Sequence, residues 1–219
     1  MCLILLGWRV HAAWPVVMAA NRDEFHGRPA ARAGFWEDRP EILAGRDLRA
    51  GGTWLGATRG GRFAVVTNYR GGTEPSAEES RGALVTRYLE GIPISTLAER
   101  KDAYSGFNLL AGDGEELWWL TNRDGAPRRL PPGWYGLGNL LLDTPEVEPH
   151  KARLRACPPS PEPLLRVLEH AKIVDARYGT RCSTVLLAGE DVRFVERAFA
   201  TDGSEEETLH YEFRTRRIS

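Results

Sequence analysis

Cysteine is scarce in this chain, and lysine scarcer in proportion. Only Cys2, Cys157 and Cys182 occur in 219 residues, odd in number, widely spaced and with no CxxC pair. That excludes a disulfide framework and argues against a structural zinc site. Free thiols also suit a reducing, cytoplasmic setting. No run of about 18 apolar residues is present, so no transmembrane helix and no membrane insertion is expected. Neither sign of charge is in excess: 29 basic and 30 acidic side chains leave a net charge of −1. A nucleic-acid or polyphosphate binder would carry a basic surplus. His11, His26, His150, His170 and His210 show neither HExxH spacing nor i,i+4 pairing, so the sequence points to no metal and no cofactor. Gly51-Gly52 and Gly60-Gly61 lack the lysine and spacing of a phosphate loop. Arginine outnumbers lysine by 26 to 3.

What is present describes a folded domain. The chain is 42% hydrophobic, too apolar for disorder, and its length fits one domain over residues 1–219. The apolar residues 3–6 are followed by Trp8, Arg9 and His11. They read as a strand, a turn and a second strand rather than a signal peptide. Further strands are expected at 16–20, 53–56 and 63–67, with a loop at 72–76. Helical spacing covers 83–89 and stops at Gly91, and Ser95 is placed to cap a second helix through 101. The order then repeats: strands at 107–111 and 116–121 about a Gly112-Asp113-Gly114 turn, and an apolar segment at 137–142. Helices follow at 149–156 and 161–171, then strands at 185–187, 192–199 and 209–213. Strand groups alternate with helix pairs and most strand connections are short. This predicts mostly antiparallel sheets layered with helices.

Four groups of residues carry chemistry. Loss of Met1 would leave Cys2 with its thiol and α-amine together, and an α-amine titrating near pH ~7.7–8.0 can take the thiol proton; the plainer reading is a small apolar residue opening a strand. The polar block Asn21-Arg22-Asp23-Glu24 directly follows an apolar strand, and serves either a site or a salt-bridged loop. Asn68 and Asn139 are oxyanion donors or turn residues. Arg181, before the strand at 185–187, is a catalytic charge or half of a surface pair.

Met-Cys at the start, Asn21-Arg22-Asp23-Glu24, Gly51-Gly52-Thr53-Trp54-Leu55-Gly56 and Thr67-Asn68-Tyr69-Arg70 together resemble the NRDE family, also called the transport and Golgi organisation protein 2 family. Gly136-Leu137-Gly138-Asn139, Leu142-Asp143-Thr144-Pro145 and Tyr178-Gly179-Thr180-Arg181 continue the likeness. That family in turn resembles N-terminal nucleophile hydrolases near bile-salt hydrolase and penicillin V acylase. The resemblance implies an α+β fold, a four-layer αββα sandwich of mostly antiparallel sheets. It implies a C–N amide hydrolase working through an acyl-thioester, with no metal or cofactor, on a small acylated or lipid-like molecule. By resemblance, Cys2 is the nucleophile, Asp23 and Arg22 its strand-end partners, Asn68 the oxyanion donor, and Asn139 and Arg181 the later site residues. Asn21, Trp54 and Tyr69 are the expected substrate contacts. The adjacency of Arg22 and Asp23 departs from that hydrolase group, since neighbouring strand residues face opposite ways; Asp23 is given precedence. Gly138 stands where relatives are expected to have serine. Eukaryotic members of the family are associated with lipid and haem handling. The alternative is therefore a non-catalytic carrier of lipid, acyl-CoA or haem on the same scaffold, and a third reading is an interaction protein of the secretory pathway.

Overall fold

The apolar residues after Cys2 form a strand buried along its whole length. A computed structural model describes residues 2–71 and 77–216; Met1 and the loop expected at 72–76 lie outside them. The elements in order are β1 (Leu3–Trp8), β2 (Val16–Phe25), β3 (Ala30–Trp36), β4 (Arg39–Asp47), β5 (Leu55–Thr58), β6 (Phe63–Asn68), α1 (Gly82–Leu89) and α2 (Ile94–Glu99). They continue with β7 (Phe107–Gly112), β8 (Leu117–Thr121), β9 (Arg128–Arg129), β10 (Gly133–Leu137), α3 (Glu148–Arg155), α4 (Pro161–Glu169), β11 (Tyr178–Ala188), β12 (Asp191–Phe199) and β13 (Glu205–Arg214). The class is α+β, with two antiparallel sheets each carrying one helix pair. The chain divides into two units, 2–28 with 132–138 and 142–215, and 29–71 with 77–131, 139–141 and 216.

The first unit holds the six-stranded sheet, ordered β10-β1-β2-β11-β12-β13. Strand alternation sends Leu3, Leu5, Val17, Ala19, Val185 and Leu187 toward α3 and α4, where Leu154, Leu164, Leu165 and Leu168 complete a buried core. Each of the buried Leu and Val side chains contributes roughly 1.5–3 kcal/mol. The opposite face carries Ile4, Leu6, Met18 and Leu186, which are buried too. Polar residues take over the helix-side row beyond Ala19. Asn21, 3% exposed, donates from Nδ2 to the Leu168 carbonyl at 3.0 Å and accepts from Ser183 Oγ at 2.7 Å. It thereby ties the end of α4 to β2 and β11. On α3, Lys151 Nζ bridges Asp143 and Glu148 at 2.8 and 2.9 Å, and the same Asp143 Oδ1 accepts from Gly136 N of β10.

The second unit holds the seven-stranded sheet, which runs in chain order from β3 to β9. Ile42, Ala44, Ala64, Phe107, Leu109, Ala111 and Leu120 meet Leu84, Val85, Tyr88, Leu89 and Leu97 of α1 and α2. The Gly51-Gly52-Thr53 motif has a physical reason here. Gly51 sits at φ +77°, and a Cβ on Gly52 would meet the Gly82 backbone at 2.6 Å. Only glycine lets the chain brush the start of α1 and turn into β5.

Several boundaries differ from the sequence reading. The strand at 16–20 runs on to Phe25, because β1 and β11 flank it and pair the polar residues too. β3 and β4 were missed: arginine and glycine blur their alternation, and pairing with neighbours holds them. The strand expected at 53–56 begins at Leu55. The apolar segment at 137–142 stops being strand at Leu137, since Leu140 turns its carbonyl to Asn108 Nδ2. Pro93, not Ser95, holds the N-cap of α2. β11 begins seven residues before Val185.

Two consequences are measurable. Asn21→Ala strands the Ser183 hydroxyl and the Leu168 carbonyl in a dry core, and is expected to cost about 2 kcal/mol, read as a lower urea midpoint at unchanged m. His150 of α3 is held below the usual imidazole pKa by burial, with Arg153 and His170 adding to it. Below about pH 6.5 the unfolded chain binds a proton that the folded chain resists, so stability is complete above that pH and falls beneath it. His150→Gln is expected to flatten this slope in thermal unfolding measured across the acidic range.

Candidate active site

Strand pairing decides which of the polar residues of β2 lie together. Arg22 stands opposite Cys182, and Asp23 opposite Thr180, with a bulge at Arg181 between them. Paired residues share a face. Arg22 therefore lies on the Ile4 side of the sheet and Asp23 on the helix side. Leu3 pairs with Asn21, so Cys2, one residue earlier, extends the Ile4 row toward Arg22. Parity thus favours Arg22, not Asp23, as the side chain on the thiol's face. Asp23 meets Cys2 through its backbone instead: its carbonyl accepts from the half-buried Cys2 thiol at 3.5 Å and from Tyr178 OH at 3.3 Å.

The two charges are held by different means. Asp23 is 5% exposed, and its Oδ1 accepts from Thr180 Oγ1 at 2.7 Å. That same hydroxyl accepts from Ile173 N at 2.9 Å, so the loop after α4 orients the carboxylate. Arg22 is 9% exposed and lies 3.9 Å from Glu24, which also pairs with Arg28. Arg181, freed by the bulge, donates from Nη1 to the carbonyls of Phe25 and His26 at 3.3 and 2.9 Å. Its side chain lies along the end of β2, where Phe25 and Tyr178 stack edge to face. Asn21 has both ends of its amide engaged in the helix-side core.

In the second unit, Asn68 closes β6. Its carbonyl accepts from Asn139 Nδ2 at 2.9 Å, and the Asn139 carbonyl accepts from Arg70 N at 2.6 Å. The Asn68 side-chain amide is half-buried and has no hydrogen-bond partner among the described residues. Asn139 is the positioning partner: it fixes the backbone that presents Asn68. Asn108, which the sequence reading missed, anchors the same segment by donating to the Leu140 carbonyl at 2.8 Å while accepting from Trp119 Nε1. An amide inside the apolar run Phe107-Asn108-Leu109-Leu110 was the available signal, as was Thr180 within the Tyr178–Arg181 motif. Trp54 lies on Gly45 of β4, leaving no room for a side chain there. Tyr69 is half-buried, with Arg123 over its ring at 5.6 Å.

The other two thiols are poor nucleophiles. Burial, and then Glu196, push the Cys182 thiol well up, and burial raises that of Cys157. Both stay protonated at neutral pH. Among the described residues no group of three or more His, Cys, Asp or Glu is placed to hold a metal ion, and no helix is long and apolar enough to cross a membrane. A depression of about 360 Å³ is lined by Glu78, Glu99, Arg100, Asp102 and Ala103, none of them a motif residue.

Two solved structures resemble this chain in fold. One is a Caenorhabditis elegans N-acylethanolamine-hydrolyzing acid amidase ortholog, with TM-score 0.54 and 12% identity, covering 85% of this chain and 92% of that one. The other is penicillin V acylase from Agrobacterium tumefaciens, with TM-score 0.54 and 14% identity, covering 88% of this chain and 82% of the acylase. The fold is thus the α+β fold of the N-terminal nucleophile hydrolase type. Sequence relatives carry a different name. The Transport and Golgi organization 2 homolog of Mus musculus is 33% identical across 92% of this chain and 93% of its own length. The human homolog is 33% identical at the same coverage. The Drosophila melanogaster protein is 32% identical over 60% of this chain and 54% of its length. A family model for Transport and Golgi organisation 2 matches residues 1–160, and with it the chain belongs to that family.

Proposed function

We propose that this protein is an amide hydrolase whose nucleophile is Cys2, acting on a small acylated or lipid-like molecule. The observation that carries the reading is the position of Cys2: a half-buried thiol at the head of β1, beside the buried Arg22–Asp23 end of β2. The fold likeness to an acid amidase ortholog and to a penicillin V acylase supports it.

The chemistry balances as follows. With Met1 removed, the α-amine of Cys2 takes the thiol proton, and the thiolate attacks the amide carbonyl carbon. Arg22, on the thiol's face, favours the thiolate. The role of oxyanion donor falls by resemblance to Asn68, a neutral amide held by Asn139. The C–N bond then breaks, the α-ammonium gives its proton to the leaving nitrogen, and a thioester remains. Water gives a proton back to the amine and adds to the thioester, which releases the acid and restores the thiol. Asp23 orients the start of the chain through its backbone carbonyl, with Thr180 fixing its carboxylate.

Mass spectrometry of the purified protein tests this directly. The expected result is a chain lacking Met1 that takes one adduct, on Cys2, from an electrophilic acyl probe. Cys2→Ala is expected to abolish the adduct and turnover while the melting temperature stays put. A retained Met1, or a Cys2 that does not react, sinks the hydrolase reading and leaves the carrier of lipid, acyl-CoA or haem in its place. Asn68→Ala is expected to slow acylation by roughly 10²–10³-fold with the adduct still on Cys2; an unchanged rate would remove Asn68 from the mechanism.

A further inference from the structure

One aromatic ring of the first unit stands in the open. β2 is buried from Val16 to Asp23, yet Phe25 at its end is 61% exposed. It is the one exposed aromatic side chain among the described residues. Fraying does not account for this, because the backbone there is held on both sides. Phe25 N–H donates to Glu24 Oε1 at 2.8 Å, and the Phe25 carbonyl accepts from Arg28 N at 3.0 Å and Arg181 Nη1 at 3.3 Å. The ring is held as well. Tyr178, its partner across the β2–β11 ladder, packs edge to face on it with centroids 5.2 Å apart and planes at 74°.

Tyr178 links that ring to the nucleophile. Its hydroxyl donates to the Asp23 carbonyl at 3.3 Å, the same oxygen that accepts from the Cys2 thiol at 3.5 Å. Strand carbonyls lie in the plane of a sheet, so donors from either face can meet at one. Tyr178 reaches it from the row of Phe25 and Asp23, and Cys2 from the row of Ile4 and Arg22. The Tyr178 side chain therefore spans from the neighbourhood of the thiol to the Phe25 ring. The start of β11 has no slack that would let it swing away. A Cβ on Gly179 would meet the Ile173 carbonyl at 3.0 Å and the His26 ring at 3.2 Å, and His26 Nε2 lies 2.9 Å from the Asp175 carbonyl. Both rings are thus in place before a ligand arrives, which lowers the ordering cost of binding.

We propose that the Tyr178 and Phe25 rings form the acyl-recognition surface of the Cys2 site, along which an extended apolar acyl chain lies once its carbonyl is at the thiol. Rigid apolar surface continuous with a nucleophile gains free energy by covering an apolar part of the molecule attacked. Phe25 is open to solvent rather than enclosed, so the gain grows with the length of chain laid on it and not with fit to a closed shape. The favoured acyl group is accordingly a long unbranched chain rather than a short or polar one. This assignment rests on the hydrolase reading of Cys2 and adds to it the residues that choose the acyl group.

The test is the rate at which p-nitrophenyl acetate, butyrate, hexanoate and octanoate acylate Cys2, each ester releasing p-nitrophenolate as its acyl group passes to Sγ. The readout is the ratio of the octanoyl to the acetyl rate, in which the fraction of folded, reactive protein cancels. For the native sequence the ratio is expected to be about ten- to a hundredfold, since an open surface covers part of each added methylene. Phe25→Ala is expected to cut it about fivefold or more. Tyr178→Phe keeps the ring and loses the hydroxyl, and is expected to retain the ratio. Leu48→Ala, at a residue of the second unit that is 60% exposed, is expected to retain it too. A native ratio near one, or a native ratio kept in Phe25→Ala, overturns the proposal while leaving Cys2 reactive. Where no ester acylates Cys2, the hydrolase reading falls on its own, and the surface is judged by ligand-observed NMR with octanamide. Saturable contacts that Phe25→Ala removes then uphold it; absent contacts, or contacts that persist in Phe25→Ala, overturn it.

Discussion

A strand buried on both faces cannot carry four consecutive polar residues unless each is paired, and β2 does carry them. Asn21 is answered by Ser183 and α4, Arg22 by Glu24, Asp23 by Thr180, and Glu24 by Arg28 as well. Leaving any buried member unpaired costs on the order of 1–3 kcal/mol. The neighbouring strands, the loop after α4 and the bulge in β11 are arranged around that requirement. Cys2 draws its surroundings from the same source, since the carbonyl that accepts from its thiol belongs to Asp23.

The sequence was most informative where spacing alone sets structure. The hairpin of β1 and β2, the helices that begin near Gly82 and Pro161, and the turn at Gly112 to Gly114 all follow from apolar period and turn residues. It was least informative where polar residues sit inside strands. The Asn21–Glu24 block and Tyr178–Arg181 read as strand ends, and both are strand, because a neighbouring β ladder satisfies them. The face assignment of Arg22 and Asp23 was also out of reach, because it depends on register with β1 and β11 rather than on local order. β3 and β4 stayed hidden behind the arginines and glycines they contain. Asn108 stands out in the sequence as an amide inside an apolar run, but the distant segment it holds shows only in three dimensions.

The surplus of arginine over lysine has a partial physical account. Arg9 lies over Trp8, Arg39 and Arg46 over Trp36, Arg59 over Phe35, Arg128 over Trp119 and Arg193 over Trp14. A planar, weakly hydrated guanidinium covers an aromatic face while its edge still reaches a carboxylate, as Arg46 does with Asp38. The compact ammonium of lysine does this less well. These contacts give part of the arginine surplus a packing role.

The register irregularity in β11 decides which changes in length that strand can absorb. Thr180 and Cys182 are two positions apart, yet they answer residues on opposite faces, Asp23 and Arg22, because Arg181 is the extra residue between them. Side-chain substitutions there alter one contact. Removing Arg181 would leave Thr180 and Cys182 as neighbours opposite Asp23 and Arg22 in a regular ladder, and would take away only the donor to the Phe25 and His26 carbonyls. Adding a second residue there, or removing one from the regular stretch after Cys182, would instead turn the paired side chains to the wrong side of the sheet.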